Sequence, residues 1–356
     1  MAQINKSSEY FNTLLYTGDG ATSTAGTTAR TLTGVGFQPD WVWVKERSNT
    51  EQHFLQDAVR GASKVLASNT TSAEADVLTD YTDGGINGFV SDGFTLGSGT
   101  AGNANNINTN TETYVAWNWL ANGGTTSSNT DGDVTSTVQV NSTAGFSITT
   151  YTGNSSSPLY VGHGLGVAPK VVLAKHRNVS THWRMWHQGL SGAGYYLILD
   201  LTNAQSNSEP IFWQIPSSTT VGFLSDFSNT SHDVVFYSFA EIKGFSKFGS
   251  YTGNGSTDGT FVYTGFKPAW ILFKQIQNIG GWTMKDNKRS PENPADERLL
   301  ADDTPAESTG ADIDFLSNGF KCRSASNAVN DSENYIYMAF AENPLVGTNG
   351  IPATAR

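Results

Sequence analysis

Three lysines, Lys45, Lys175 and Lys274, stand six residues after Pro39, Pro169 and Pro268, each at the end of a strand-like apolar run. An amine repeated at one spacing could touch a ligand, pair between domains or mark a strand end. Triplication favours a structural task, since a reaction rarely needs three copies of its catalytic group in one chain. Such a lysine is expected to lay its stem over ring surface and send its head to solvent or to an Asp. Four of the six histidines, His163, His176, His182 and His187, fall in the middle of the chain, and His53 and His232 complete the set. His182 and His187 flank Trp183 and Trp186, but a metal needs convergent ligands and a carboxylate, which this spacing does not supply. Surface or hydrogen-bonded imidazoles are expected instead, with no metal and no cofactor.

Asp131-Gly132-Asp133 and Asn330-Asp331-Ser332-Glu333 are oxygen-rich, yet lack the calcium-loop pattern and read as Asx turns. The single cysteine, Cys322, sits in a strand-like context, excludes an internal disulfide and reads as a small buried hydrophobe. No Ser-His-Asp order, phosphate loop or Gly-x-Ser-x-Gly elbow occurs. The chain is therefore expected not to be an enzyme. Paired carboxylates for glycoside cleavage are recognised only in space, so a polysaccharide depolymerase stays as the minor alternative. Among the nine tryptophans, Trp41, Trp43, Trp117 and Trp270 fall on core strands. Trp183, Trp186 and Trp213 are expected to be exposed and able to stack on sugar faces.

The elements that position these residues are repeated too. Gly36 to Lys45, Gly166 to Lys175 and Gly265 to Lys274 are three versions of one stretch: a Pro, an apolar run, a Lys. Pro suits the first position of a strand, and β-branched and aromatic residues suit a pleated surface. Trp41, Trp43 and Lys45 share one face, Val42 and Val44 the other, so the strand is expected to be buried on both sides. Tyr-Thr-Gly precedes each stretch, at Tyr16, Tyr151 and Tyr251. Phe54, Trp183 and Trp282 follow the Pro at nearly constant distance. Each unit closes on a second apolar run, Tyr114–Trp119, Val234–Phe239 or Tyr335–Phe340. The units span roughly 80–100 residues, the size of domains with their own cores rather than of solenoid repeats.

The expected fold is all-β: three tandem antiparallel β-sandwich repeats, jelly-roll or concanavalin-like. Repeat one covers 1–121, repeat two with its linker 122–243, repeat three 244–346, and 347–356 is a polar tail. Residues 121–133 lack a large apolar side chain and read as linker, so unit one is expected to be the freer body. Asp57 to Leu66 reads as a helical turn or as a strand pair broken at Gly61. Lys285 to Asp303, dense in charge, reads as a solvated loop.

Composition agrees. Hydrophobic content of 37% and charged content of 15% are both low, and 37 glycines favour short strands and many turns. A net charge of −11 argues against nucleic acid and against anionic lipid. No apolar run approaches membrane-spanning length, and no signal peptide is apparent. The protein is expected to be made in a cytoplasm and to reach the outside by lysis or assembly.

Ser7 to Gly18, Val35 to Trp43 and Ala339 to Pro344 resemble a family of repeat proteins encoded by marine tailed bacteriophages. The resemblance covers nearly the whole chain. It implies a virion structural protein, on a tail fibre, tail tip or capsid surface, and implies no catalytic residue. Partners would be other virion proteins and a host surface glycan, with a homo-oligomer expected and a trimer among the options. Absence of coiled-coil heptads favours a globular knob or capsid decoration over a shaft. The alternative class is a set of carbohydrate-binding modules that recognise host polysaccharide.

Overall fold

The computed structural model describes residues 2–209, 211–212 and 214–346. The chain is all-β, with antiparallel ladders that stay inside three segments, 11–119, 127–239 and 246–344. The tail 347–356 lies outside the described residues. One strand order recurs in each segment: opening strand, closing strand, Pro-led strand, short strand. The opening strands are Phe11–Thr17, Phe146–Thr152 and Ser246–Thr252, and the closing strands are Thr113–Trp119, Asp233–Phe239 and Asn334–Pro344. The Pro-led strands are Trp41–Glu46, Val171–His176 and Phe266–Gln275, the last of which begins two residues before its proline and carries Pro268 at a register shift, not at the expected first position. The short strands are Phe54–Asp57, Arg184–His187 and Thr283–Asp286.

Register repeats as well as order. Trp41 faces Trp119, Val171 faces Phe239, and Trp270 faces Phe340. Four residues on, Lys45, Lys175 and Lys274 face Val115, Val235 and Ile336. A second layer covers one face of each sheet: Thr28–Thr33 with Gly93–Gly97 and Gly85–Val90, Leu159–Gly162 with Thr220–Phe223, and Phe261–Tyr263 with Gly319–Cys322. Between the layers lie private cores, built on Val42 and Val44, on Val172 and Ala174, and on Ile271 and Phe273.

The opposite faces explain the two-sided burial of the Pro-led strands. Trp41 and Trp43, Val171 and Leu173, Trp270 and Leu272 all point into one cluster shared by the three units. Aromatic rings fill it: Trp41 lies 4.4 Å from Trp119 and 4.5 Å from Tyr237, and Phe11 stacks on Phe340 at 5.1 Å. Offset and edge-on ring pairs of this kind add about 0.5–1.5 kcal/mol each beyond area burial. The units therefore pack around a common centre, and the expectation of a freer first unit is overturned.

The Tyr-Thr-Gly motif has a local cause. Tyr16 and Tyr151 donate their hydroxyl hydrogens to Ile107 O (2.8 Å) and Phe227 O (2.7 Å), tying the opening strand to the loop before the closing strand. Tyr251 does the same to Val329 O. The following glycine lets that loop pass: a Cβ on Gly18, Gly153 or Gly253 would sit 2.0, 2.2 or 1.9 Å from a backbone carbonyl oxygen. Only glycine tolerates such an approach.

Other expectations change. Ser127–Asn129, inside the supposed linker, is an edge strand paired with Ser136–Asn141. Asp57 to Leu66 is the strand pair broken at Gly61, whose φ is +106°. The charged stretch Lys285 to Asp303 is not solvated: Lys285, Asp286 and Arg289 are buried, and Ala295–Leu300 is a strand. Ala2 packs beside Gly244 and Gly244 beside Pro344, while Gln3 and Lys243 exchange two hydrogen bonds. Among the described residues no helix is long and apolar enough to cross a membrane.

Candidate functional site

The repeated lysines end at seams between units. Their heads are buried rather than solvated, which corrects the expected geometry. Lys175 Nζ of the second unit donates to Thr71 O of the first (3.1 Å), and Lys274 Nζ of the third to Thr202 O of the second (3.0 Å) and to Gly280 O (2.8 Å). Lys45 Nζ donates to Glu46 O (2.7 Å) beside carboxylates of the third unit. Burial lowers all three amines to about 8. Lys175 and Lys274 are thus ties between units, while the hydrogen bonds of Lys45 stay in its own unit.

One residue before each short strand does a parallel task. Trp183 Nε1 donates to Ala67 O of the first unit (2.8 Å), and Trp282 Nε1 to Ile198 O (3.0 Å) and Leu201 O (3.2 Å) of the second. In the first unit the register puts His53 here, not Phe54, and His53 Nε2 lies 2.8 Å from Leu300 O of the third. The sequence reading paired the wrong residue because it matched ring to ring. The backbone N–H of each is held by an aligned side chain, Asn69, Asp200 or Asp302. Each unit thus grips its predecessor, and the first grips the third, closing a head-to-tail ring.

Two seams carry a buried ionic chain. Between units one and two, Asp57 pairs with Arg60, Arg60 with Glu74 (3.0 Å), and Glu74 with Arg177 (2.9 Å). Between units three and one, Asp286 pairs with Arg289 (2.5 Å), Arg289 with Glu307 (2.8 Å), and Glu307 with Arg47 (2.6 Å). The carboxylates also take a donor from across the seam: Tyr237 Oη to Asp57 Oδ2 (2.7 Å), and Trp117 Nε1 to Asp286 Oδ2 (3.1 Å). Between units two and three, Met338 occupies the donor's register position and has nothing to give. There His187 replaces the Asp and pairs with Tyr337 O (3.2 Å), and Leu190, Gln205 and Ile276 stand where the rest of the chain would be.

The remaining candidates lie in the middle unit. Trp183 and Trp186 are 0% and 3% exposed, so neither can stack on a sugar. Trp183 is drawn inward by the seam, and Trp186 by its unit's private core. Trp213 lies outside the described residues. Beside them opens a cleft of about 560 Å³, lined by His176, His182, Arg184 and Glu209 among others. His182 Nδ1 is 2.5 Å from Asp200 Oδ2, and His176 Nδ1 is 2.7 Å from Thr181 Oγ1. Burial lowers His176 to about 4, against the pull of the Asp226 carbonyl.

Arg184 stands out. It holds the register position that Phe54 and Thr283 fill in the other units. Its guanidinium lies 5.1 Å over the Tyr196 ring, and its Nε and Nη1 are sealed from water without a hydrogen-bond partner. Sequence reasoning passed over it because a lone Arg in a short strand carries no periodic signal. Among the described residues no group of three or more His, Cys, Asp or Glu converges as metal ligands would.

Fold and site together describe an all-β protein in which one strand order recurs three times around an aromatic centre, with a polar cleft beside Arg184 in the middle segment. The chain belongs to the DUF7483 family, a domain of unknown function, whose match covers residues 6–344. No curated protein and no solved structure matches it.

Proposed function

We propose that the chain is a non-enzymatic structural protein of a bacteriophage particle, displayed on its surface as a fibre knob or capsid decoration. One observation carries the reading: the features written three times, the Tyr-Thr-Gly turn, the Pro-led strand and the Lys, are all taken up by cores and seams. Residues kept in triplicate thus serve architecture, and the resemblance to phage repeat proteins points the same way. Each unit is best assigned to a jelly-roll or concanavalin-like sandwich. Proteomics and cryo-electron microscopy of purified virions test the proposal. The chain should occupy symmetric positions beside other virion proteins, and its absence from particles would sink the reading.

A second reading, recognition of host-surface carbohydrate, is favoured by the cleft of the middle unit, which gathers polar side chains from two strands and the loops beside them. Depolymerase activity is a weaker form of it. Release of reducing ends from host polysaccharide would establish that form, and their absence would leave binding alone.

A further inference from the structure

Arg184 sits where its counterparts are Phe54 and Thr283, both buried, and Phe54 belongs to the private core of its unit. A guanidinium there, with two donors sealed and unpartnered, costs stability. Local departures of this kind, met inside the fold only by the Tyr196 ring, mark sites kept for binding. The departure also coincides with a cavity, and His176, 0% exposed, lines that cavity with its Nε2 lacking a hydrogen bond of normal geometry.

The lining fixes the ligand class. Arg184 brings donors, and Glu209 and Asp226 bring acceptors. Ile211 and Phe227, both buried, add an apolar wall. An anionic ligand would face Glu209 and Asp226, while a cation would face Arg184. Vicinal hydroxyls satisfy both sets at once, because each hydroxyl donates and accepts. The C–H face of a sugar ring suits the apolar wall, and the volume falls within the ~300–1,000 Å³ of small-molecule sites.

We propose that the cleft of the middle unit binds a neutral saccharide unit, Arg184 donating through Nη2, the guanidinium nitrogen that is not sealed, to its ring or hydroxyl oxygens, and Glu209 and Asp226 accepting from its hydroxyls. This rests on the second reading above, that the protein recognises host carbohydrate. The other two units lack the site, because Phe54 and Thr283 replace the arginine.

Isothermal titration of the full chain with maltotriose, cellotriose, laminaritriose and mannotriose, and with trimannuronate as the anionic counterpart, tests it. At least one neutral trisaccharide should bind saturably, with affinity at least tenfold weaker for Arg184→Met and for the exposed Glu209→Gln. Arg184→Met should melt at or above the temperature of the unaltered protein, because it removes a charge with unpartnered donors. No neutral binding, binding of trimannuronate alone, or equal affinity in both variants would overturn the proposal. A lower melting temperature for Arg184→Met would also overturn it, by assigning the arginine to the fold. None of these outcomes bears on whether the chain is found on virions, so the architectural reading stands or falls separately.

Discussion

Tyr237 gives its hydroxyl hydrogen to Asp57 at 2.7 Å across the first seam, between residues 180 apart in sequence. That carboxylate also accepts from the Arg60 side chain, and both Asp57 and Arg60 are fully buried. Removing one partner of a buried pair costs about 3–5 kcal/mol, because the other charge is stranded. Asp57→Asn should therefore lower unfolding free energy by that order in a denaturant titration. Tyr237→Phe should lose about 1.5–3 kcal/mol, one hydrogen bond to a charged group.

The seam between units two and three tests the logic in reverse. Leu190→Arg alone should destabilise strongly, since no carboxylate awaits it. Adding His187→Asp and Gln205→Glu together should restore part of the loss, a coupling of about 0.5–3 kcal/mol in a cycle that treats this pair as one change and Leu190→Arg as the other. Purely additive losses would show that the three seams are not equivalent in register.

Stability should rise with pH from acid into the alkaline range. Burial lowers His53 to about 3 and His163, His176 and His187 to about 4. As pH falls from 6.5 the unfolded chain takes up protons that the folded chain refuses, so stability is lost toward pH 4. The loss at pH 5 is about 1–2 kcal/mol per imidazole. The lysines at about 8 act in the same direction between their unfolded value of 10.5 and pH 8. Above pH 10 the buried tyrosines Tyr151, Tyr237 and Tyr251, raised by burial, reverse the trend. Melting temperatures across pH 4–11 should peak near pH 9–10, within the window these groups set.

Gly18→Ala, Gly153→Ala and Gly253→Ala should each destabilise by about 1–3 kcal/mol, the cost of forcing a loop off its strand. Calorimetric melting of the three variants gives the comparison. A neutral outcome at any one would mean that its loop has room to move.

The shared core predicts one cooperative transition rather than three. Cleavage in the linker near Gly123-Gly124 should leave both pieces associated on size-exclusion chromatography, since Trp41 and Trp119 of one piece pack on Tyr237 and Phe340 of the other.

Much of this was legible in sequence because the repeat exposed it. Two-sided burial of Trp41 to Lys45 followed from alternation, and the recurring strand order from recurring landmarks. What alternation could not convey was what covers the second face. The lysine heads were expected in solvent or on an Asp because a single strand gives no sign of a neighbouring unit's carbonyls. The ionic chains were hidden for the same reason: Glu74 meets Arg177, and Arg47 meets Glu307, only after the ring closes. Trp183 and Trp186 were misplaced by the assumption that a divergent unit exposes its rings. The divergence lies instead in Arg184 and in the His187 seam.

Ala2 and Pro344 both pack beside Gly244, where the second unit passes into the third. The beginning and the end of the described chain therefore share one corner of the molecule. Joining them through a short peptide and reopening the chain at Gly123-Gly124 would give a circular permutant with every strand pairing intact. A tether attached at Ala2 or at Pro344 would likewise leave from that corner, fixing which side of the ring is held and which is presented.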